Sequence, residues 1–218
     1  MSIDAILFDA DGVIQKPSKE RRRAWRDLLG SDRNLDKFLA DIFEAEPPAL
    51  EGQSNFIEAL SDILSRWKCR GTLTDALAAW TMIEVDAEIA GTIRTLRRSG
   101  VRCYLATNQE SHRACYMSST LGYRDLFDEQ FYSCRLGVMK PAVAYFYAIL
   151  KELDVRPRNV LFLDDHLANI DSARETGLHA TEFRLEAGPD QLMRSLGEFG
   201  ILCNREHGFP LSGPRLTT

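Results

Sequence analysis

The sequence predicts an α/β fold: a parallel sheet covered by helices on both faces, interrupted near its start by an all-helical insert. Three observations carry that prediction. From Val101 to Phe183, short apolar runs such as "VRCYLAT", "NVLFLDD" and "LHATEF" alternate with stretches of helical length. A further apolar run, "AILF", stands by itself near the N-terminus. Between residues 18 and 85 the periodic stretches all have helical spacing, and no strand pattern intervenes. Residues 1–16 and 86–218 are therefore expected to form the core domain, and 17–85 a helical one.

The elements follow in order. Ile3 to Phe8 is apolar except for Asp4, is too short for a helix and stops at Asp-Ala-Asp-Gly, so it reads as a buried strand. Gln15-Lys16-Pro17-Ser18 reads as a linker and hinge, because proline fixes its own φ and drives the residue before it to extended geometry. "SKERRRAWRDLLG" opens on a serine N-cap, sets Trp25, Leu28 and Leu29 opposite its charges, and stops at Gly30. Leu35, Phe38, Leu39 and Ile42 recur at helical spacing ahead of Pro47-Pro48. Phe56, Ile57, Leu60, Ile63 and Leu64 repeat the pattern, and "TLTDALAAWTMI" is a weaker fourth helix. "DAEIAGTIRTLRRSG" is an amphipathic helix closed by Gly100, before the strand "VRCYLAT". "ESHRACYMSSTLGY" is a helix ending near Gly122, and "FDEQFYS" holds a short strand. "PAVAYFYAILKELDV" is a helix with Pro141 in its first turn. "NVLFLDD" is a buried strand, "LANIDSARETG" a helix and "LHATEF" the last strand. From Gly188 the tail reads as one short helix and an irregular end.

Composition narrows the function. With 218 residues, 44% hydrophobic and 27% charged, the chain can bury a sizeable core. A formal net charge of −5 argues against a general nucleic-acid binder but permits a local basic pocket. The five cysteines form no C-x-x-C pair and read as reduced thiols. No apolar run approaches the roughly 20 residues that span a bilayer, and no signal peptide is visible. A cytoplasmic enzyme or binding protein is the expectation.

In an open parallel sheet, ligands bind beyond the carboxyl ends of the strands. Asp9, Asp11, Thr107, Asn108, Asp164 and Asp165 all fall at such ends. Asp9 and Asp11 put two carboxylates at one point, and Gly12 lets the backbone turn close to a ligand. Two such acids repel unless a cation or a shared proton intervenes. By themselves they could equally be solvated residues capping a strand. Thr107 and Asn108 offer a hydroxyl and an amide to phosphate oxygens, or a simple helix cap. Lys140, held extended by Pro141 at the start of a helix, suits an anion, although a lone lysine is usually a surface residue. Asp164 and Asp165, with Asn169 following, suit a hard cation such as Mg²⁺, or cap the next helix. Singly each motif is ambiguous. The ordered set supplies a nucleophile, an acid–base group, an anion cradle and a metal seat, which phosphoryl transfer needs.

"ILFDADGV", Thr107 in "YLATN", Lys140-Pro141 and Asp164-Asp165 resemble, in order, the four motifs of the haloacid dehalogenase-like hydrolase superfamily. The likeness spans about Ile3 to Phe183, and the insert falls where the small phosphatases of that superfamily carry a helical cap. It implies a Rossmann-like parallel-sheet core with a small helical cap domain. It further implies that Asp9 is a nucleophile forming an aspartyl-phosphate and Asp11 a general acid, then base. Thr107 and Lys140 would hold the phosphoryl group. Mg²⁺ would sit between Asp9, the backbone carbonyl of Asp11 and Asp165, with Asp164 acting directly or through water and Asn169 behind them. An acid at Asp11 favours phosphate esters over halides, since halide leaves without a proton.

The resulting expectation is a Mg²⁺-dependent phosphatase acting on a small phosphorylated metabolite, a sugar phosphate or nucleotide, with no nucleic-acid or membrane partner, as monomer or homodimer. A phosphomutase of the same fold and a non-catalytic binding or regulatory protein are the rivals. Other residues carry less. His166 reads as a loop position, and His112, His179 and His207 show no ligand spacing. Arg21, Arg22 and Arg23 read as a solvated helix face, and Trp25, Trp67 and Trp80 as core of the insert.

Overall fold

A computed structural model describes residues 3–201. In chain order the elements are β1 (Ala5–Phe8), β2 (Gln15–Pro17), α1 (Arg21–Leu29), α2 (Leu35–Ala45), α3 (Pro47–Leu50), α4 (Phe56–Arg66), α5 (Leu73–Trp80) and β3 (Ile83–Val85). Then come α6 (Ala87–Arg98), β4 (Arg102–Thr107), α7 (Ser111–Ser119), α8 (Tyr123–Leu126), β5 (Glu129–Tyr132), α9 (Ser133–Leu136) and α10 (Val143–Leu153). The described chain closes with β6 (Val160–Asp164), α11 (Leu167–Glu175), β7 (His179–Glu182) and α12 (Gly188–Glu198).

Five strands form one sheet in the order β5-β4-β1-β6-β7, and every neighbouring pair is parallel. The alternation of side chains along each strand divides the core in two. Ile6 and Phe8 of β1, Cys103 and Leu105 of β4, and Leu161 and Leu163 of β6 face α6, α7 and α12, where Ile93, Met117 and Leu196 meet them. Ala5 and Leu7, Tyr104 and Ala106, and Val160 and Phe162 face α10 and α11, against Phe146, Ile149 and Ile170. Two covered faces explain why β1 is apolar at every position. Each fully buried Leu, Ile or Phe contributes roughly 1.5–3 kcal/mol relative to exposure.

The segment between β2 and β3 has a core of its own, in which Trp25, Phe38, Ile42, Phe56, Leu60, Ile63 and Trp80 interdigitate. Its helices are capped locally. Asn55 accepts from the Ile57 amide, and Thr72 and Asp75 form a reciprocal capping box. Trp67 donates its indole N–H to Asp41 at 2.8 Å.

Four sequence expectations need correction. Ser18 does not cap α1, whose N-cap is Glu20 with no side-chain cap bond. The segment is not free of strand: β2 and β3 pair antiparallel, Gln15 opposite Val85 and Pro17 opposite Ile83. Pro47-Pro48 do not only stop α2, because Pro47 opens the four-residue helix α3. Pro141 lies in the turn before α10, not in its first turn, and the Lys140–Pro141 peptide is cis. The helix expected after Gly188 is α12, while the irregular end, with Cys203 and His207, lies outside the described residues. Among the described residues no helix is long and apolar enough to cross a membrane.

Candidate active site

The carboxyl ends of β1, β4 and β6 converge on the ammonium of Lys140. Its Nζ lies 2.8 Å from Asp9 Oδ1 and 2.6 Å from Asp164 Oδ2, and donates to the Ala106 carbonyl at 3.0 Å. Lys140 is only 3% exposed, so it is no surface lysine and does not sit at a helix N-terminus. Its backbone is clamped by Asn108. The Lys140 amide donates to Asn108 Oδ1 and Asn108 Nδ2 donates to the Lys140 carbonyl, both at 2.9 Å. The Asn108 carboxamide is therefore committed to positioning the lysine, where the sequence suggested a phosphate donor.

Asp164 is fully buried and saturated. Besides Lys140 it accepts from the His166 amide at 2.8 Å and from Asn169 Nδ2 at 3.0 Å. Asn169 thus holds Asp164. Asp165 differs: its Oδ1 is buried with no hydrogen-bond partner among the described residues. Gly12 makes room for it, since a Cβ there would come within 2.3 Å of Asp165 Oδ2. One oxygen each from Asp9, Asp164 and Asp165 lies within 4.8 Å of the others. Three carboxylates against the one ammonium of Lys140 leave a formal surplus of two negative charges, which suits a hard divalent cation. His166 is exposed and 3.7 Å from Asp165, in keeping with a loop position.

The Asp11 side chain turns away from this group, so only its backbone carbonyl is left as a possible ligand. The strand ends at Phe8, and the two acids do not share a strand face. Asp11 Oδ1 accepts from Arg113 Nη2 at 2.9 Å and Gln15 Nε2 at 3.0 Å, and Oδ2 accepts from Gln109 Nε2 at 2.7 Å. Thr107 is buried at the end of β4, with its hydroxyl 3.4 Å from Gln109 Nε2.

These surroundings drive the two acids apart. Burial, reinforced by Asp164, pushes the Asp9 carboxyl up to about 7 against the pull of Lys140. Burial also works against the Asp11 charge, but Arg113 and the two amide donors outweigh it and hold the carboxyl below its ordinary value. Burial opposes the Lys140 charge too, yet Asp9 and Asp164 keep its pKa raised.

The sequence reading missed a second layer. Arg21, expected on a solvated face, is buried, with its guanidinium 4.9 Å from the Trp80 ring centroid. Arg113 lies over the same ring at 5.4 Å. Arg22 and Arg23 are exposed as expected, each paired to an aspartate. Trp80 is core of the insert and more, because its indole N–H donates to Glu110 Oε1 at 3.1 Å. Glu110 also caps α7, accepting from the His112 and Arg113 amides. Glu46, from the turn between α2 and α3, joins the cluster. Burial pushes it up to about 7, with Arg113 opposing. Glu110, two residues past Asn108 in "TNQE", was the one available signal: an acid at the N-terminus of a helix that begins beyond a site strand.

A family model described as haloacid dehalogenase-like hydrolase matches residues 3–177. Protein CbbY of Cereibacter sphaeroides is 28% identical, across 97% of this chain and 99% of its own. D-ribitol-5-phosphate phosphatase of Bacteroides thetaiotaomicron is 30% identical, across 86% of this chain and 94% of its own. A haloacid dehalogenase family enzyme from the same bacterium, solved with magnesium and inorganic phosphate, shares the fold at a TM-score of 0.74 and 20% identity, covering 88% of this chain and 100% of that one. Strand order, motif order and a match over most of its length agree: the chain belongs to the haloacid dehalogenase-like hydrolase family.

Proposed function

We propose that the chain is a Mg²⁺-dependent phosphatase that hydrolyses a small phosphomonoester through an aspartyl-phosphate on Asp9. One observation carries the reading: a single buried ammonium bonds Asp9 and Asp164, while Asp165 beside them keeps a buried oxygen without a hydrogen-bond partner among the described residues. Asp9, Asp165 and the backbone carbonyl of Asp11 would hold the cation, with Asp164 directly or through water. Bound there, Mg²⁺ supplies positive charge that offsets repulsion between Asp9 and the phosphoryl oxygens.

Asp9 attacks phosphorus as the ester P–O bond breaks, and Asp11 gives its proton to the departing oxygen. Asp11, then ionised, takes a proton from water, whose oxygen attacks the aspartyl-phosphate and releases phosphate. Lys140 keeps Asp9 oriented and balances the charge on the transferring group, with Thr107 at the β4 end beside it. The partners of Asp11 suit the second step, in which it acts as the ionised base. The acid step requires the substrate to bring Asp11 its proton or to loosen Arg113.

A mutase must hold a second phosphate opposite the first. Here Arg21 of the insert and Arg113 of α7, the buried guanidiniums beside Asp11, are matched by Asp11, Glu46 and Glu110, which favours simple hydrolysis. The named ribitol phosphate phosphatase relative, and the magnesium and phosphate in the solved neighbour, support the same direction.

Asp9→Asn should abolish release of p-nitrophenol from p-nitrophenyl phosphate while circular dichroism shows an unchanged fold. Substantial residual turnover would sink the nucleophile assignment. EDTA should stop the wild-type rate and added Mg²⁺ restore it. Silence across a broad panel of phosphate esters with Mg²⁺ would favour a non-catalytic protein on this fold.

A further inference from the structure

The Asp11 side chain is 40% exposed, while Gln15, Gln109 and Arg113, which grip it, are buried. Its two oxygens are held unequally. Oδ1 accepts from Arg113 Nη2 at 2.9 Å and from Gln15 Nε2 at 3.0 Å, which engages both of its lone pairs. Oδ2 accepts from Gln109 Nε2 at 2.7 Å and keeps its second lone pair on the open side chain. Oδ1 is thus the anchored oxygen and Oδ2 the one with room for a proton.

The anchor runs deeper than Gln15. A tight turn curls this residue back under Asp11: the Gln15 amide donates to the Ala10 carbonyl at 3.0 Å, and the Gly12 amide to the Gln15 carbonyl at 2.9 Å. Its carboxamide is engaged on both ends. Nε2 serves Asp11 and lies 3.7 Å from Met117 Sδ, and Oε1 accepts from the Tyr123 hydroxyl at 2.8 Å. A flipped carboxamide would set Oε1 against the Asp11 carboxylate. Burial, with the charge of Asp11 behind it, holds the Tyr123 phenol well above its ordinary value, so it stays a donor. The donors therefore all point one way, from the start of α8 through the start of β2 to Asp11 Oδ1. The core does not ask for this chain. Gln15 and Tyr123 are fully buried, and Tyr123 packs with Met117 and Phe127 in an apolar cluster. Methionine and phenylalanine would fill the same space without burying polar atoms.

We propose that Gln15 and Tyr123 are positioning residues for proton transfer: they fix Oδ1 of Asp11 and leave Oδ2 as the oxygen that hands the proton to the departing alcohol. This rests on the phosphatase reading above and deepens it. In that step Asp9 forms its bond to phosphorus, the ester P–O bond breaks with its electron pair going to the departing oxygen, and that oxygen takes the proton from Oδ2. Buried as they are, Gln15 and Tyr123 act through Asp11.

The test compares two esters of similar shape. Phenyl phosphate needs a proton on its departing oxygen, whereas the nitro group of p-nitrophenyl phosphate stabilises the departing anion without one. The constant to compare is kcat/KM, which covers the steps through that departure, so slow breakdown of the aspartyl-phosphate does not mask it. Gln15→Met and Tyr123→Phe keep the volume and break the chain. In each, kcat/KM with Mg²⁺ should fall on the order of tenfold further on phenyl phosphate than on p-nitrophenyl phosphate. Because the links act in series, the double variant should show the same ratio of the two esters as Gln15→Met alone. Loss of folded protein lowers both esters alike and cancels in the ratio. A ratio that holds or rises in Gln15→Met overturns the inference, and should that variant fail to fold, Tyr123→Phe decides by the same ratio. Effects that multiply in the double variant overturn the link through Tyr123. Turnover of neither ester by the wild type overturns the phosphatase reading, and this inference with it.

Discussion

Lys140 bonds two carboxylates and a carbonyl from inside the protein, so its loss does more than remove a charge. Lys140→Ala leaves Asp9 and Asp164 buried without their counter-ion. Urea denaturation should show a loss of about 3–5 kcal/mol, together with turnover below detection. Asp165→Asn is the contrasting case, since burial raises the pKa of its carboxyl and, among the described residues, Oδ1 has no hydrogen-bond partner. The urea midpoint should hold or rise, while the Mg²⁺ concentration needed for half-maximal rate increases at least tenfold. Gly12 belongs with Asp165. Its φ of +77° is left-handed, and an added methyl would strike the Asp165 carboxylate, so Gly12→Ala should lose activity far out of proportion to stability. At this scale the sequence was informative about the residues with unusual chemistry and uninformative about their supports. Asp9 and Asp165 stand out because charges rarely end apolar strands unpaired, and Lys140 because it precedes a proline ahead of a helix in the same ordered set. Gln15, Gln109 and Arg113 look like ordinary polar residues, and only the folded chain brings them around Asp11.

Helix α7 shows how one element serves both layers of the site. Its N-cap Glu110 accepts from two amides of the first turn and from Trp80 at the end of α5. Its third residue, Arg113, grips Asp11 and lies over the same tryptophan. Trp80→Phe deletes one hydrogen bond to a buried carboxylate, at a cost of roughly 1.5–3 kcal/mol in urea denaturation. The central strands β1, β4 and β6 were legible as apolar runs cut off by a turn or an acidic residue, and the edge strands β5 and β7 by their place between helical stretches. The ribbon β2–β3 was not, because three residues carry no period and its pairing joins segments far apart in the chain. Helices α3, α8 and α9 escaped for the same reason of length, at four residues each. Arg21 was misread because three consecutive arginines look alike in sequence. Only its position on α1, facing Trp80 and the core, separates it from Arg22 and Arg23.

For the whole molecule, the buried acids set a pH dependence. Glu46 binds its proton near pH 7 in the folded chain and near 4.5 when exposed. Between those values the folded state holds more protons than the unfolded one, so stability falls as pH rises. Asp9 slopes the same way, from 3.8 to about 7. In EDTA, the melting temperature of the wild type should therefore decline from about pH 5 to pH 7, and Glu46→Gln should remove part of that slope while matching the wild type near pH 4. A wild type and variant with parallel profiles would exclude Glu46 as a contributor. The same acid feels Arg113 across the seam between the insert and the sheet domain, and Arg21 from within the insert, so its charge contributes to the electrostatics of that seam.

The ribbon at the base of the insert has an architectural consequence. The chain leaves the sheet domain at Gln15 and returns at Val85 as directly paired neighbours, so everything between them hangs from a single stalk. Such a stalk makes the intervening stretch a cassette. It can be lengthened, shortened or exchanged without moving Asp9, Lys140 or Asp165, whose positions depend on β1, β4 and β6. The helices of the insert and the strand ends that hold the buried lysine are thus written in separable stretches of the sequence, and selection can rewrite the first while leaving the second alone. Gln15 and Arg113 are the exceptions. The first lies at the foot of the stalk and the second lies over Trp80 of the insert, and both bond Asp11, so a rewritten cassette still reports its seating to that carboxylate through those two side chains.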